Sequence, residues 1–151
     1  MKRLLSIPFF VLSLSVAPAQ EVVWLPSPDA KTLAMGGVAM TALSGSHPIY
    51  SNPAMAAFSL MPSQVSSSYY GQGKSNYYAV TGYWRFDNFN LTQIGWRQFF
   101  REHGGNDMAV DLGYSRRIGD RWAVGGVTRY MHFKRSEGSG DALAVDLSVG
   151  W

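Results

Sequence analysis

From Gln64 to Trp151, apolar and polar residues trade places one for one, the period of an extended strand whose successive side chains leave opposite faces. Six strands are predicted, over about residues 64–71, 75–86, 88–100, 107–117, 121–134 and 141–151. The last is the cleanest: Leu143, Val145, Leu147, Val149 and Trp151 alternate with Ala142, Ala144, Asp146, Ser148 and Gly150. In the fourth, Met108, Val110, Leu112 and Tyr114 share one side, and Asp107, Ala109, Asp111, Gly113 and Ser115 share the other. Five of the six runs are 11 to 14 residues long. That exceeds the usual mode of about 5 or 6 and reaches the roughly 9 to 11 residues with which a tilted strand crosses a bilayer.

One apolar face serves a sandwich core as well as a barrel wall, so the connections and strand ends carry the distinction. "FDN" at 86–88 and "RIGDR" at 117–121 are short, whereas "GQGKS" at 71–75, "REHGGND" at 101–107 and "KRSEGSGD" at 134–141 are longer and more polar. Their alternation predicts a barrel with tight turns at a periplasmic end and longer loops at an extracellular end. Tyr69, Tyr70, Tyr83, Trp84, Phe99, Phe100, Trp122, Tyr130 and Phe133 gather toward strand ends, which predicts aromatic girdles at the headgroup level. The third strand breaks the pattern. Phe89 and Leu91 fall on one face, Ile94 and Trp96 on the other, and a bulge near Gln93 or Gly95 is predicted to switch them.

Ahead of the strands the texture differs. Lys2 and Arg3, an apolar run from Leu4 to Val16 and the small Ala17-Pro18-Ala19 predict a secretory signal peptide over residues 1–19. Its run is too short for a membrane-spanning helix, which needs about 20 residues. Residues 20–62 predict irregular structure with one or two short helices, one capped by Asp29 and ended by Gly36-Gly37. There is no cysteine, so stability in an oxidising compartment draws on strand ladders and burial alone. Loss of Lys2 and Arg3 leaves 11 basic against 10 acidic residues, lowering the formal net charge from +3 to +1. With no basic stripe, nucleic-acid binding is not expected. No apolar run after Gln20 is long enough for a spanning helix, which leaves a soluble periplasmic β protein or an outer-membrane barrel.

Few residues suggest chemistry. His47, His103 and His132 have no metal-pair spacing, and "GQGKS" lacks the first glycine of a phosphate loop. Accordingly no catalytic residue, metal site or cofactor is predicted. One charged set stands out. Pairing of the fourth with the fifth strand and the fifth with the sixth brings Arg129 close to Asp111 and Asp146. The three are expected to form a charge ladder on a wet interior wall, since an arginine facing lipid at mid-depth costs roughly 2–4 kcal/mol.

"AMGGVAMTALSGSHPIYSNPAMAAF" at 34–58 resembles the amino-terminal signature of FadL-fold outer-membrane proteins, particularly the PorV/PorQ-like branch linked to type IX secretion. The matching positions are Ala34, Met35, Gly36 and Gly37, followed by Asn52, Pro53 and Ala54; "DLGYSRRIGDRWAVGGVTRYM" and "ALAVDLSVG" match in style further on. The family usually continues Asn-Pro-Ala with Gly-Leu, where this chain has Met55-Ala56. The resemblance implies an all-β antiparallel transmembrane barrel over 63–151, preceded by a plug over 20–62 that the Asn52-Pro53 corner turns back toward the wall. Family barrels have about fourteen strands, and six are fewer than the roughly 8 of the smallest membrane barrels, so the six are expected to be the N-terminal part of a longer barrel or, failing that, to close by oligomerisation. The implied function is a non-enzymatic outer-membrane component of type IX secretion, with membrane lipid, secretion components and cargo carboxy-terminal domains as partners. Two alternatives remain at this stage. One is a FadL-like channel for hydrophobic small molecules, using Met35, Val38, Met40, Phe58 and Met61. The other is a soluble periplasmic β-sandwich with a binding role.

Overall fold

Residues 47–151, apart from His103, Glu137 and the side chain of Gln72, are described by the computed structural model. The predicted leader, the helix near Ala30 and the Ala34–Gly37 segment lie outside the described residues. The described chain begins with two short 3-10 helices, η1 (Pro48–Tyr50) and η2 (Pro53–Phe58). Six strands follow: β1 (Ser63–Gln72), β2 (Ser75–Arg85), β3 (Asn90–Phe100), β4 (Asn106–Ile118), β5 (Trp122–Arg135) and β6 (Gly138–Gly150). They form one sheet in chain order, every neighbouring pair antiparallel. The fold is all-β, as the alternation predicts, and β1 and β6 are the edges among the described residues.

η1 and η2 lie against one face of this sheet, so its two faces are distinct. The covered face carries Tyr77, Ala79, Thr81 and Tyr83 of β2, Asp107, Ala109, Asp111 and Ser115 of β4, and Ala123 and Val127 of β5, all buried. Against it pack Ala54, Ala57 and Phe58 over Ala123, and Ala56 over Tyr83 and Leu91. The open face is a field of exposed apolar side chains. One row across the register reads Val65, Gly82, Ile94, Leu112, Thr128, Val145. The next reads Ser67, Val80, Trp96, Val110, Tyr130, Leu143. On β6, Leu143 is 71%, Val145 66%, Leu147 85% and Val149 59% exposed.

Three expectations need correction. The connections run two, four, five, three and two residues (73–74, 86–89, 101–105, 119–121 and 136–137), so the long-short alternation is absent. "GQGKS" and "KRSEGSGD" zip into the ladder, pairing Gln72 with Ser75 and Arg135 with Gly138. Small residues put no steric obstacle in the way, and pairing satisfies backbone groups that a loop would leave to water. In β3 there is no bulge: its ladder is continuous with β2 from Leu91 to Phe100 and with β4 from Asn90 to Phe100. Leu91 faces inward because η2 supplies it an apolar partner, while Phe89 lies in the turn before the strand. The aromatics divide between faces. Tyr69, Trp84, Phe100, Trp122 and Tyr130 are on the open face. Tyr70, Tyr83, Phe99 and Phe133 follow the inward parity of Tyr77, Asp107 and Val127, so they belong to no girdle.

Candidate functional site

The site is the polar strip of the covered face together with the segment laid over it. Its first part is a cradle for the Asn52-Pro53-Ala54 motif. Pro53 has no N–H to lose at the first position of η2 and keeps Asn52 out of the helical region, at φ −144° and ψ 93°. The Asn52 Oδ1 atom then caps the helix by accepting from the Ala54 amide at 3.2 Å. Three strands complete the grip. The Pro53 carbonyl accepts from Gln93 Nε2 of β3 at 3.0 Å and from Ser115 Oγ of β4 at 2.6 Å. The Ala54 amide also donates to Ser148 Oγ of β6 at 3.1 Å, and Asn52 Nδ2 donates to the Val149 carbonyl at 3.2 Å.

The close approach depends on Gly125, where a Cβ would lie 2.7 Å from the Ala54 nitrogen. At the far end of η2, Arg85 donates to the carbonyls of Ala57 and Ser59, and Ser59 Oγ meets the Tyr83 hydroxyl at 2.5 Å. The Asn-Pro corner thus does turn the segment onto the sheet. It is held largely through its backbone, so the neighbouring side chains are small.

The second part is the charge ladder. Arg129 donates through Nε to Asp111 Oδ1 and ion-pairs through Nη1 with Asp146 Oδ2 at 3.1 Å. All three residues lie on the covered face, brought together as the strand pairing predicts. The sequence reading missed the fourth member, Arg97, which sits 3.6 Å from the Asp111 carboxylate and is itself buried. Which inward residue of β3 meets Asp111 depends on the register of β3 against β4, which the alternation alone does not fix. A straight β3 puts Gly95 opposite Asp111 and Arg97 one step along.

Tyr50 of η1 roofs this centre. The Arg97 guanidinium lies 4.2 Å from its ring centroid, and its hydroxyl donates to the Trp96 carbonyl at 3.4 Å. The ring fits because Gly95 has no side chain: a Cβ there would lie 2.7 Å from the hydroxyl. Burial pushes the Tyr50 phenol far above its ordinary range, with Arg97 opposing the shift, so it stays a neutral donor. His47, for which the sequence predicts no metal-binding or catalytic role, is buried between Thr81 Oγ1 at 2.6 Å and Ser68 Oγ at 2.9 Å.

This arrangement holds and orients the segment laid over it. Its cations are the arginines Arg97 and Arg129, paired with Asp111 and Asp146. Of the residues proposed for a hydrophobic channel, Phe58 packs on the alanine cluster and under Arg117, and Met61 is exposed. Met35, Val38 and Met40 lie outside the described residues, as do Ala34, Gly36 and Gly37. Among the described residues, no group of three histidine, aspartate or glutamate side chains is placed to hold a metal ion. No protein-family model, no curated protein and no solved structure matches this chain.

Proposed function

We propose that the protein is an outer-membrane β-barrel component of the PorV/PorQ type, serving type IX secretion and surface attachment without catalysing a reaction. One observation carries the membrane reading: Leu143, Val145, Leu147 and Val149 are exposed on the open face while Asp111, on the other face, is fully buried. A soluble β-sheet hides its apolar face and wets its polar one, whereas a bilayer rewards the reverse. The branch rests on the resemblance, chiefly Asn52-Pro53-Ala54 followed by the strand run. In this role the 47–59 segment is a structural plug, and partners meet the loops and plug. In lipid, the edge backbone groups of β1 and β6 that have no ladder partner among the described residues would each cost several kcal/mol, so in this reading further strands, of this chain or of a second copy, cover them.

Cell fractionation with affinity purification tests it. The chain is expected in the detergent-extracted outer-membrane fraction, together with secretion components and cargo carboxy-terminal domains. Recovery of the chain as a freely soluble periplasmic protein would sink the membrane reading. Membrane localisation with bound fatty acid and no secretion partner would instead favour the hydrophobic channel.

A further inference from the structure

We propose that the covered face, at the end away from η2, holds a receptor for an oxyanion, a carboxylate or phosphate group. Its ligands are Arg101 and Arg135, and Asp107 is the residue that orients them. The inference stands apart from the membrane reading, because it rests on the local geometry of two hairpins.

Asp107 is the second residue of β4 and is completely buried. Arg101, in the β3–β4 connection, donates to its Oδ2 atom through Nε at 2.9 Å, with Nη2 also 2.9 Å away. Arg135, at the end of β5, donates through Nη1 to the Oδ1 atom. A single carboxylate therefore aligns two guanidiniums that arrive from different hairpins. A guanidinium has five N–H donors, and this contact engages two from Arg101 and one from Arg135. Both side chains remain about a third exposed, at 38% and 29%.

Among the described residues, one negative charge against two positive charges leaves this end of the face cationic. Glu102, beside Arg101 in the chain, pairs instead with Lys74 at 3.7 Å. Arg101 also stands 5.1 Å over the Phe99 ring, which restricts the plane of its guanidinium. The wider field points the same way. Among the described residues the covered face carries Arg85, Arg97, Arg101, Arg117, Arg129 and Arg135 against Asp107, Asp111 and Asp146. A staple between two hairpins needs one cation. Two preoriented, solvent-reachable forks with donors to spare form the geometry that binds a planar carboxylate or a phosphate in bidentate fashion.

Calorimetric titration of the full chain in detergent with inorganic phosphate, and separately with acetate, at constant ionic strength tests this. Saturable binding is expected, weakened about tenfold or more by Arg101→Gln and by Arg135→Gln, as loss of charged hydrogen bonds implies. Arg116→Gln, on the open face, should leave it unchanged. Tighter binding of phosphate than acetate would assign a phosphate group, and the converse a carboxylate. Absence of saturable binding of either anion to the native chain, or binding that both arginine variants retain, would reduce Asp107 to a staple. Should the variants fail to fold, the native titration against chloride at equal ionic strength decides alone.

Discussion

Asp111 and Leu112 are neighbours in the chain, yet the first is wholly buried and the second is 60% exposed. That contrast repeats along β4 and β6 and divides the sheet. One face gathers arginines, aspartates, glutamine and serine under a short, small-residue segment. The other presents valine, leucine, isoleucine and tryptophan to whatever surrounds the molecule. The covered face is held by directional contacts, each polar atom needing a partner at the right place. The open face has no partner within the described residues and gains only from an apolar surrounding. The two faces therefore respond differently to substitution.

The largest expected effect is on the covered face. Asp111→Ala leaves the buried Arg97 without its carboxylate and takes from the half-buried Arg129 one of its two partners, and should cost about 3–5 kcal/mol. The denaturant midpoint of the purified protein measures it; a loss below about 1 kcal/mol would mean that the ladder does not hold the face together. Next comes Val145→Arg, at a position 66% exposed. In lipid vesicles it should cost roughly 2–4 kcal/mol, against at most about 0.5 kcal/mol for an exposed position in water. An equally small loss in vesicles would break the comparison, since the open face would then not meet lipid.

Gly125→Ala is expected to cost about 1–3 kcal/mol by pressing a methyl group into the Ala54 backbone. It should also raise hydrogen exchange at the Ala54 amide, and unchanged exchange there would show that η2 yields freely. The smallest effect is at the β2–β3 turn. Asp87 accepts from Asn90 Nδ2 and from the amides of Phe89 and Asn90, and these bonds hold its carboxyl below its ordinary value. Its contribution is present above the ordinary value of 3.8 and is lost as pH falls from there through the lower folded value. Amide exchange at Phe89 and Asn90 should rise over that interval and not above it. Asp87→Asn should make the same exchange insensitive to that change in pH.

Much of this was legible in one dimension. Six strands, their antiparallel order and the facing of Leu143 to Val149 follow from a period of two, because strand geometry is local. The meeting of Asp111, Arg129 and Asp146 followed as well, since hairpin pairing fixes which residues can lie close. The Asn52-Pro53 corner was equally readable, as the proline ring constrains its neighbour whatever surrounds it. Connection lengths were not legible, because glycine and serine accept strand or loop and pairing across the hairpin decides. β3 was misjudged for a related reason. Leu91 looks out of place among inward polar residues until η2 brings Ala56 onto it beside Tyr83 of β2.

By itself, then, the sequence determined the strands, the faces of those other than β3 and the charged triad, all consequences of backbone period and nearest-neighbour pairing. The tertiary structure alone decided that β3 runs straight, bringing Arg97 to Asp111, and that Gly95 and Gly125 receive Tyr50 and Ala54. It also decided that Arg101 and Arg135 converge on Asp107 from different hairpins. Those contacts join residues far apart in the chain, and no local rule of period or propensity constrains a distance closed only when the whole sheet is assembled.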